Sequence, residues 1–393
     1  MAGIYLHVPF CDSRCIYCGF CSTVSRSLRQ QYIPALKREI SGRRDFFSSL
    51  YQTDRIVKTL YIGGGTPSVL SADLLEEAVS AIKEAFVFPL SAFRTENPDE
   101  FEFTVEVNPD DITPDYASSL RKMGVNRVSM GVQSFCDSHL KWMGRRHNSS
   151  SAIEAYGILR SAGFANISLD LIFGFPQMTL EDWEYNLHKI LELSPEHISA
   201  YQMGIDPGTP LERMEKNGDF ALPSQEESEL MYRTLQKMLK EGGYIQYEVS
   251  NFCKTMATRS RHNSSYWNRT PYLGLGPGAH SFIGRHREWN TSDIATWCDL
   301  STLKIREGET LSPQDIFNEI LMLGLRTSGG VSLNTLRNSS PQSPALMAEM
   351  LPQLHSLESK GLVLLDKTGT IKIPPEKFFV SDGIIRELFV CQP

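Results

Sequence analysis

The chain has 393 residues, of which 41% are hydrophobic, so it is long enough to form two or three domains with filled cores. Its 39 Lys and Arg residues are outnumbered by 46 Asp and Glu residues, and the formal charge of −7 gives no general attraction to nucleic acid or to an anionic membrane. No apolar run approaches about 18 residues and the N-terminus lacks a signal-peptide pattern, so we expect no transmembrane segment. Half of the eight cysteines lie in the first 21 residues, unlike an extracellular disulfide framework, and we expect a cytoplasmic protein.

Short β-rich runs recur along the first half of the chain, and each is followed by a longer helical pattern. Such alternation predicts an α/β fold with a parallel sheet. The runs are nearly continuous in apolar residues, which is typical of a sheet that is covered on both faces or curled into a barrel. The predicted strands span residues 3–8, 59–63, 101–107, 127–132, 166–173 and 197–203, and the helical patterns include 28–47, 72–86, 151–162, 179–193 and 224–242.

The pattern changes twice after the sixth strand. From about residue 244 it becomes irregular and rich in aromatic residues. From about residue 310, two helical patterns, 313–325 and 345–360, are followed by a Thr-Gly hairpin. They suggest a small winged-helix-like α+β domain that serves as a packing unit, without a role in nucleic-acid binding. The predicted division is a core (1–243), an aromatic-rich accessory segment (244–309) and a C-terminal domain (310–393).

Three cysteines follow the first strand with the spacing Cys-x3-Cys-x2-Cys: Cys11, Cys15 and Cys18. Thiolates are the soft ligands that iron–sulfur clusters require, and three of them leave one iron of a [4Fe–4S] cluster open to another ligand. The spacing alone leaves other arrangements open: a buried helix face, a zinc site that includes Cys21, or a cluster closed by four cysteines. Pro9 and the polar residues between the first two cysteines favour a loop, and structural zinc usually joins two separated pairs.

Further motifs stand at the ends of the next strands: Gly63-Gly64-Gly65-Thr66-Pro67 after the second, Glu106 and Asn108 after the third, and Gly131-Val132-Gln133 after the fourth. With the cysteine motif they resemble the radical S-adenosylmethionine (radical SAM) superfamily, and more closely the family of oxygen-independent coproporphyrinogen III oxidases. The resemblance runs from Tyr5 to at least His280. It implies a radical SAM partial (β/α)6 barrel with a [4Fe–4S] cluster and S-adenosylmethionine. An electron donor would reduce the cluster, and transfer of that electron to the sulfonium would cleave the cofactor.

The resemblance also implies which residues contact S-adenosylmethionine. Glycines at the end of a strand let backbone groups approach a ligand closely, and in the family this segment contacts the methionyl amino group. Arg145 matches the family's partner for the cofactor carboxylate, and the adjacent Arg146 is the alternative. Asp170 matches a ribose contact, with a buried structural acid as the alternative. The implied contacts are Tyr5, Tyr17, Gly64, Gly65, Thr66, Glu106, Gln133, Arg145 and Asp170, some of which serve a second S-adenosylmethionine in the oxidase.

Two functions compete within this resemblance. One is the oxidative decarboxylation of coproporphyrinogen III; the other belongs to the heme chaperone subfamily, HemW, which binds heme and delivers it to an acceptor protein. The oxidase carries a further cysteine two positions after the third ligand, where this chain has Phe20 and places Cys21 one position later. It also carries a long extension before the strand tyrosine, which here is residue 5. Both departures favour the chaperone, so turnover of coproporphyrinogen is not expected.

A positive signal agrees with the chaperone. The segment His262-Asn263-Ser264-Ser265-Tyr266-Trp267 matches a His-Asn-x-x-Tyr-Trp motif of the HemW subfamily that is associated there with heme. An imidazole is a natural axial ligand for heme iron, and flanking aromatic rings can stack on the macrocycle. The resemblance therefore makes His262, Tyr266 and Trp267 candidate heme residues. A packed, hydrogen-bonded histidine is the alternative, and the nearby Cys253 offers a thiolate.

Overall fold

The computed structural model describes residues 2–94, 100–299 and 306–390, so residues 300–305 of the predicted accessory segment and 391–393 of the C-terminal domain lie outside the described residues. Strands and helices alternate through the first half of the chain, and each predicted strand is found within two residues of its expected bounds. The elements are β1 (Ala2–Val8), α1 (Arg26–Arg43), β2 (Val57–Gly64), α2 (Ala72–Ala85), β3 (Glu102–Val107), α3 (Pro114–Met123), β4 (Arg127–Gln133), α4 (Asp137–Trp142), α5 (Ser149–Ser161), β5 (Ile167–Phe173), α6 (Leu180–Leu193) and β6 (His197–Gln202).

Strands β1 to β6 are parallel and lie side by side in chain order. Both faces of these strands are buried, as the burial of nearly every residue of β5 shows, which explains their continuous apolar character. The carboxyl ends of all six strands meet at one edge of the sheet. The prediction of a parallel α/β partial barrel is confirmed.

The helices begin where polar side chains can satisfy the first free backbone N–H groups. Thr179 and Ser224 accept hydrogen bonds from the backbone nitrogens of Asp182 and Glu227 at 3.1 Å each. Each cap contributes about 1 kcal/mol to helix stability. The apolar faces then pack onto the sheet: Trp183 of α6 is fully buried and stacks on Phe173 of β5, with 5.3 Å between the ring centroids.

The aromatic-rich segment lengthens the same sheet at both edges. On one side β9 (Tyr272–Leu275) adds to β1 in parallel and is followed by three antiparallel strands. On the other side β8 (Asn251–Cys253) pairs antiparallel with β6, and β7 (Ile245–Gln246) pairs antiparallel with β8. The division near residue 243 stays a prediction, because one sheet runs across it. The elements are α7 (Pro210–Asn217), α8 (Gln225–Glu241), β7 (Ile245–Gln246), β8 (Asn251–Cys253), α9 (Arg261–Trp267), β9 (Tyr272–Leu275), β10 (His280–Ile283), β11 (His286–Asn290), α10 (Ile294–Cys298) and β12 (Arg306–Thr310).

The C-terminal elements follow the order helix, strand, two helices and hairpin, which is that of a winged helix, as predicted. The three short strands form a separate antiparallel sheet in the order β13, β15, β14. Main-chain hydrogen bonds join the C-terminal domain to the aromatic-rich segment, including Val249 N–H to the carbonyl of Arg326 at 3.0 Å. The elements are α11 (Pro313–Leu325), β13 (Val331–Ser332), α12 (Leu333–Arg337), α13 (Ser343–Ser359), β14 (Leu364–Leu365), β15 (Thr370–Lys372) and α14 (Ser381–Glu387).

Candidate cofactor site

A cavity of about 410 Å³ opens at the carboxyl ends of β1 to β6, where parallel sheets and barrels place their ligands. Its wall contains all three cysteines of the N-terminal motif and eight of the nine residues that the resemblance links to S-adenosylmethionine. The exception is Tyr5, discussed below. The predicted residues on the wall are Cys11, Cys15, Cys18, Tyr17, Gly64, Gly65, Thr66, Glu106, Gln133, Arg145 and Asp170.

The three cysteines lie on the loop that leaves β1, and the fourth turns away from them. The Thr66 hydroxyl donates to the sulfur of Cys11 at 3.5 Å, and Arg145 donates to that of Cys15 at 3.6 Å. Cys21 instead donates to the carbonyl of Ser292 at 3.3 Å and lines a different cavity. Three thiols that share one cavity wall fit a [4Fe–4S] cluster with one open iron.

Burial makes the free thiols poor thiolates. It raises the pKa of Cys11 and Cys18 above the ordinary value, and the mutual repulsion of the negative sulfurs raises it further. Hydrogen bonds from Thr66 to Cys11 and from the backbone at Phe20 to Cys18 act in the opposite direction. The iron ions of a bound iron–sulfur cluster would supply positive charge and keep these sulfurs ionised.

The glycine segment packs directly against the cysteine loop. The backbone N–H of Gly65 donates to the carbonyl of Val8 at 2.8 Å, and a β-carbon on Gly65 would lie 2.8 Å from the carbonyl oxygen of Phe10. Gly64 has a φ of +114°, a backbone conformation that other residues rarely adopt. The two glycines are therefore required for the close approach of the two loops.

Glu106 lines the cavity next to Gly64. Its carboxylate accepts hydrogen bonds from the Tyr61 hydroxyl at 2.7 Å and from the backbone N–H of Gly64 at 3.1 Å. Burial raises the pKa of Glu106 to about 7, although both hydrogen bonds oppose the shift. A partly protonated carboxyl group that also orients the glycine segment is suited to contact a polar cofactor.

Two further predicted contacts stand on neighbouring strands. Gln133 has a φ of +67° at a bulge between β4 and β5, and such strained backbone in a residue other than glycine is concentrated at functional sites. The Asp170 carboxylate accepts hydrogen bonds from Ser129 at 3.0 Å and from Ser168 at 3.2 Å, while burial raises its pKa. Both side chains line the cavity at positions where a ribose could bind.

Arg145 points inward, whereas the adjacent Arg146 points outward. Arg145 donates to the side-chain oxygen of Asn108 at 2.7 Å and to the carbonyl of Gly131 at 2.8 Å. Its Nε has no hydrogen-bond partner among the residues that the structure describes, so it retains a buried donor for an anionic ligand. Arg146 is occupied on the rim by ion pairs with Asp111 at 2.8 Å and Asp12 at 3.3 Å.

The two tyrosines of the predicted set lie in different places. Tyr17 borders the cysteine cavity beside Arg145, where burial raises the pKa of its hydroxyl. Tyr5 lines a second cavity of about 700 Å³, in which its hydroxyl lies 3.1 Å from Nδ1 of His7. Phe20 lines both cavities and therefore stands between them.

Sequence reasoning missed several polar residues on the cavity wall. Ser129 and Arg127 stand at steps of two from Gln133 along β4, so the strand period would have found them. Ser199 and Tyr201 lie on β6, where Ser199 pairs with Asp170 across the sheet, and only the strand register reveals them. Arg127 is 1% exposed and supplies positive charge near the Glu106 and Asp170 carboxylates. The missed residues are Arg127, Ser129, Ser199 and Tyr201, together with Asn263 from the His-Asn-x-x-Tyr-Trp motif.

The motif histidine is enclosed at the base of the barrel. His262 is 1% exposed, and its two ring nitrogens lie 2.9 Å from the Thr59 hydroxyl and 2.8 Å from the Tyr266 hydroxyl. Its ring stacks on Tyr61, and burial lowers the pKa of the imidazole to about 3. The Glu102 carboxylate fixes the start of α9 by accepting from the backbone N–H of His262 at 2.9 Å. In this arrangement His262 is a packed, neutral histidine.

The two aromatic residues of the motif, Tyr266 and Trp267, have different surroundings. Tyr266 lines the second cavity and meets Tyr272 edge to face, with 4.6 Å between the ring centroids. Trp267 is half-buried, and its indole nitrogen has no hydrogen-bond partner within the described parts of the chain. Cys253 is buried in β8, where its thiol donates weakly to the carbonyl of Ile245 at 3.8 Å. Tyr266 thus lines the second cavity, whereas His262, Trp267 and Cys253 line neither of the two cavities described.

Comparison with known proteins identifies this arrangement at two levels. The sequence model of the radical SAM superfamily matches residues 5–190, and that of the HemN C-terminal domain matches 311–370. The solved structure of the Escherichia coli coproporphyrinogen III oxidase HemN, which is described as a radical SAM enzyme, superimposes with a TM-score of 0.81. The match covers 99% of this chain and 90% of that chain at 24% identity, and therefore shows the fold.

Curated relatives are similar over almost the whole chain. The heme chaperone HemW of Bacillus subtilis is 34% identical over 92% of this chain and 93% of its own. HemW of Lactococcus lactis is 33% identical over 85% and 84%, and the mitochondrial radical S-adenosyl methionine domain-containing protein 1 of Danio rerio is 30% identical over 98% and 87%. The chain therefore belongs to the HemW family of the radical SAM superfamily.

Membership of this superfamily implies a [4Fe–4S] cluster and S-adenosylmethionine as cofactors. The site fits both, because three thiols share the cavity with a buried arginine donor and two carboxylates. Within the described ranges, no helix is long and apolar enough to cross a membrane.

Proposed function

We propose that this protein is a heme chaperone that binds heme, holds a [4Fe–4S] cluster with S-adenosylmethionine, and delivers heme to an acceptor protein. The observation that carries the proposal is the 34% identity to the B. subtilis heme chaperone over 92% of the chain. The position of Cys21 supports it, because this thiol faces away from the cavity that contains the three motif cysteines.

In this proposal Cys11, Cys15 and Cys18 hold the cluster, and its open iron takes the amino and carboxylate groups of S-adenosylmethionine. Arg145 pairs with the cofactor carboxylate through its unoccupied Nε donor. The glycine segment, Thr66 and Glu106 surround the methionyl amino group, and Gln133 and Asp170 bind the ribose. When bound, the reduced cluster supplies an electron that can cleave the cofactor.

The protein's own part in this chemistry is to position the cofactors and to limit access by water. Tyr17 and the glycine segment form the inner wall beside the cluster loop. In this proposal the protein does not turn over coproporphyrinogen, because the similarity to HemN shows the fold alone.

The test uses the full chain with its cluster reconstituted anaerobically. Heme is titrated by Soret absorbance, transfer of bound heme to a heme-free globin is followed as a probe acceptor, and coproporphyrinogen III is assayed under reducing conditions by chromatography. We expect saturable heme binding, transfer to the globin and no protoporphyrinogen. Catalytic formation of protoporphyrinogen would assign the protein to the oxidases, and failure to bind heme would overturn the chaperone proposal.

A further inference from the structure

The second cavity lies on the part of the sheet that the aromatic-rich segment adds to the barrel. Strands β9, β10 and β11 present alternate residues to it: Tyr272 pairs with Phe282, Phe282 with Arg287, and His280 with Trp289. Residues of α11, including Met322, cover the opposite side. The cavity is about 700 Å³, within the range of pockets that hold cofactors and drug-sized ligands.

The walls suit a large planar ligand. Tyr272 and Phe282 lie at 6.2 Å between ring centroids, and Tyr266 meets Tyr272 edge to face. Trp289 stacks on the His280 ring at 5.7 Å with 27° between the planes. The two groups of rings stand on one wall, because His280 and Phe282 are alternate residues of β10, and aromatic rings on one wall favour the face of a macrocycle over a flexible polar chain.

His280 differs from the other imidazole of this cavity. His7 is held at both nitrogens, by the Tyr5 hydroxyl at 3.1 Å and by the carbonyl of Cys21 at 2.8 Å. Neither ring nitrogen of His280 makes a hydrogen bond to any residue that the structure describes, and the side chain is exposed to the cavity mouth. Partial desolvation at the cavity wall and the nearby Arg287 lower the pKa of His280, which favours the neutral imidazole that binds metals.

Charged residues stand at the same wall. Arg269 and Arg287 both form ion pairs with Glu319, and Arg287 also approaches Glu309 at 3.4 Å. Arg287 is the more exposed of the two arginines, at 28% of its side chain against 14%. A ligand with carboxylates at its edge could join this network at Arg287, because guanidinium pairs with carboxylates in a fixed geometry.

We propose that this second cavity is the heme site, with the imidazole of His280 as the axial ligand of the iron and Arg287 beside a propionate. The proposal rests on the proposed function, which supplies heme as the cargo, and adds its location and ligand. It places heme next to the cluster cavity, with Phe20 as the shared wall. It also assigns His262 a structural role, since both of its nitrogens are occupied.

The experiment titrates ferric heme and metal-free protoporphyrin IX into the cluster-loaded full chain. Four proteins are compared: wild type, His280→Ala, His262→Ala and the matched control His286→Ala, which removes an imidazole from the adjacent strand outside the cavity. We expect His280→Ala to shift the Soret band and to raise the heme dissociation constant about tenfold or more. Its affinity for metal-free porphyrin should stay within about twofold of wild type, because only the iron bond is lost. Added imidazole should restore the wild-type Soret position.

Other outcomes separate the two proposals. If wild type binds no heme, the proposed function fails; if wild type binds heme and His280→Ala gives an identical spectrum and affinity, this inference fails alone. A changed spectrum in His262→Ala with none in His280→Ala would return the ligand to the motif histidine. Should His280→Ala fold poorly, His280→Met keeps a ligating side chain and must give a shifted Soret band of its own. An unshifted band in that variant would overturn the assignment.

Discussion

The two cavities on either side of Phe20 are built from different kinds of sheet. The first lies at the ends of parallel strands, where side chains and loops converge, and its wall carries the half-buried Glu106 and Asp170 together with the buried Arg127. The second lies on the face of an extension that is mostly antiparallel, where alternate aromatic residues lie side by side. Converging loops suit a small, highly charged cofactor, whereas a broad aromatic face suits a planar one.

The charges differ in the same way. In the first cavity burial raises the pKa of Asp170, and it raises the pKa of Glu106 to about 7. In the second, the carboxylate of Glu319 is already paired with Arg269 and Arg287. The desolvated carboxyl groups of the first cavity are therefore unfavourable without a ligand. In the second cavity the carboxylate of Glu319 is already neutralised by two arginines. Variants of residues in only one cavity should therefore leave ligand binding in the other cavity unchanged.

The largest effect is expected at the cysteines, because each thiolate is one of only three protein ligands of the cluster. Serine variants of Cys11, Cys15 and Cys18 should each lose the cluster after anaerobic reconstitution, as measured by iron content and visible absorbance. Cys21→Ser is the matched control, because its sulfur faces the second cavity, and it should keep the cluster. Cluster loss in Cys21→Ser would show that the first cavity is closed by four thiolates.

The next effect concerns the buried carboxyl group of the first cavity. The pKa of Glu106 in the folded protein, about 7, lies above that of an unfolded chain, about 4.3, so the folded state keeps this proton at higher pH. This group should therefore lower the free energy of unfolding as the pH rises from about 4.5 to about 7, by up to about 3 kcal/mol. Glu106→Gln should remove that loss.

Urea unfolding of the cluster-free protein at pH 5 and pH 8 measures this difference. Glu106→Gln should be more stable than wild type at pH 8 by more than at pH 5. Glu349→Gln, an exposed residue of α13, is the control and should follow wild type at both values. Parallel curves for wild type and Glu106→Gln would mean that the carboxylate is already compensated in the folded protein.

How far the sequence predicts each region follows from the same comparison. The barrel strands were predictable because both faces are buried. The cavity residues came from the family resemblance, whose motifs include Cys11, Gly65 and Gln133, and these three line one cavity. The strands of the extension were not predictable, since β9 to β12 are only four or five residues long and expose part of their side chains. Pairing across the sheet, which places His280 beside Trp289, has no local sequence signal.

The motif histidine shows the limit of reasoning by residue type. A histidine between aromatic residues is compatible with a ligand or with a packed core position, and sequence alone leaves both open. A long-range contact distinguishes them here, because the Thr59 hydroxyl from β2, about 200 residues away in the chain, meets one ring nitrogen and Tyr266 meets the other. Long-range hydrogen bonds of this kind depend on the whole fold.

A third prediction addresses affinity in the first cavity. Arg145→Ala should weaken S-adenosylmethionine binding by roughly 1.5 to 3 kcal/mol, or about 10- to 150-fold, because a charge-assisted hydrogen bond is lost. Heme binding in the second cavity should be unchanged. Arg146→Ala is the control, since its guanidinium is committed to Asp111 and Asp12 on the rim. Calorimetric titration of cluster-loaded protein gives both constants, and a defect in Arg146→Ala alone would identify it as the cofactor's partner.

The smallest effect is expected at Phe20, the side chain that the two cavities share. It is 68% exposed, so Phe20→Ala should change the free energy of unfolding by no more than about 0.5 kcal/mol. Loss of an aromatic contact should nevertheless weaken both ligands by about 0.5 to 1.5 kcal/mol, or roughly 2- to 12-fold in each dissociation constant. Tyr51→Ala, an exposed aromatic residue outside both cavities, should weaken neither. If Phe20→Ala weakens only S-adenosylmethionine binding, heme does not contact Phe20. That result would contradict a heme site in the second cavity, because a macrocycle there must touch the residue between the two cavities.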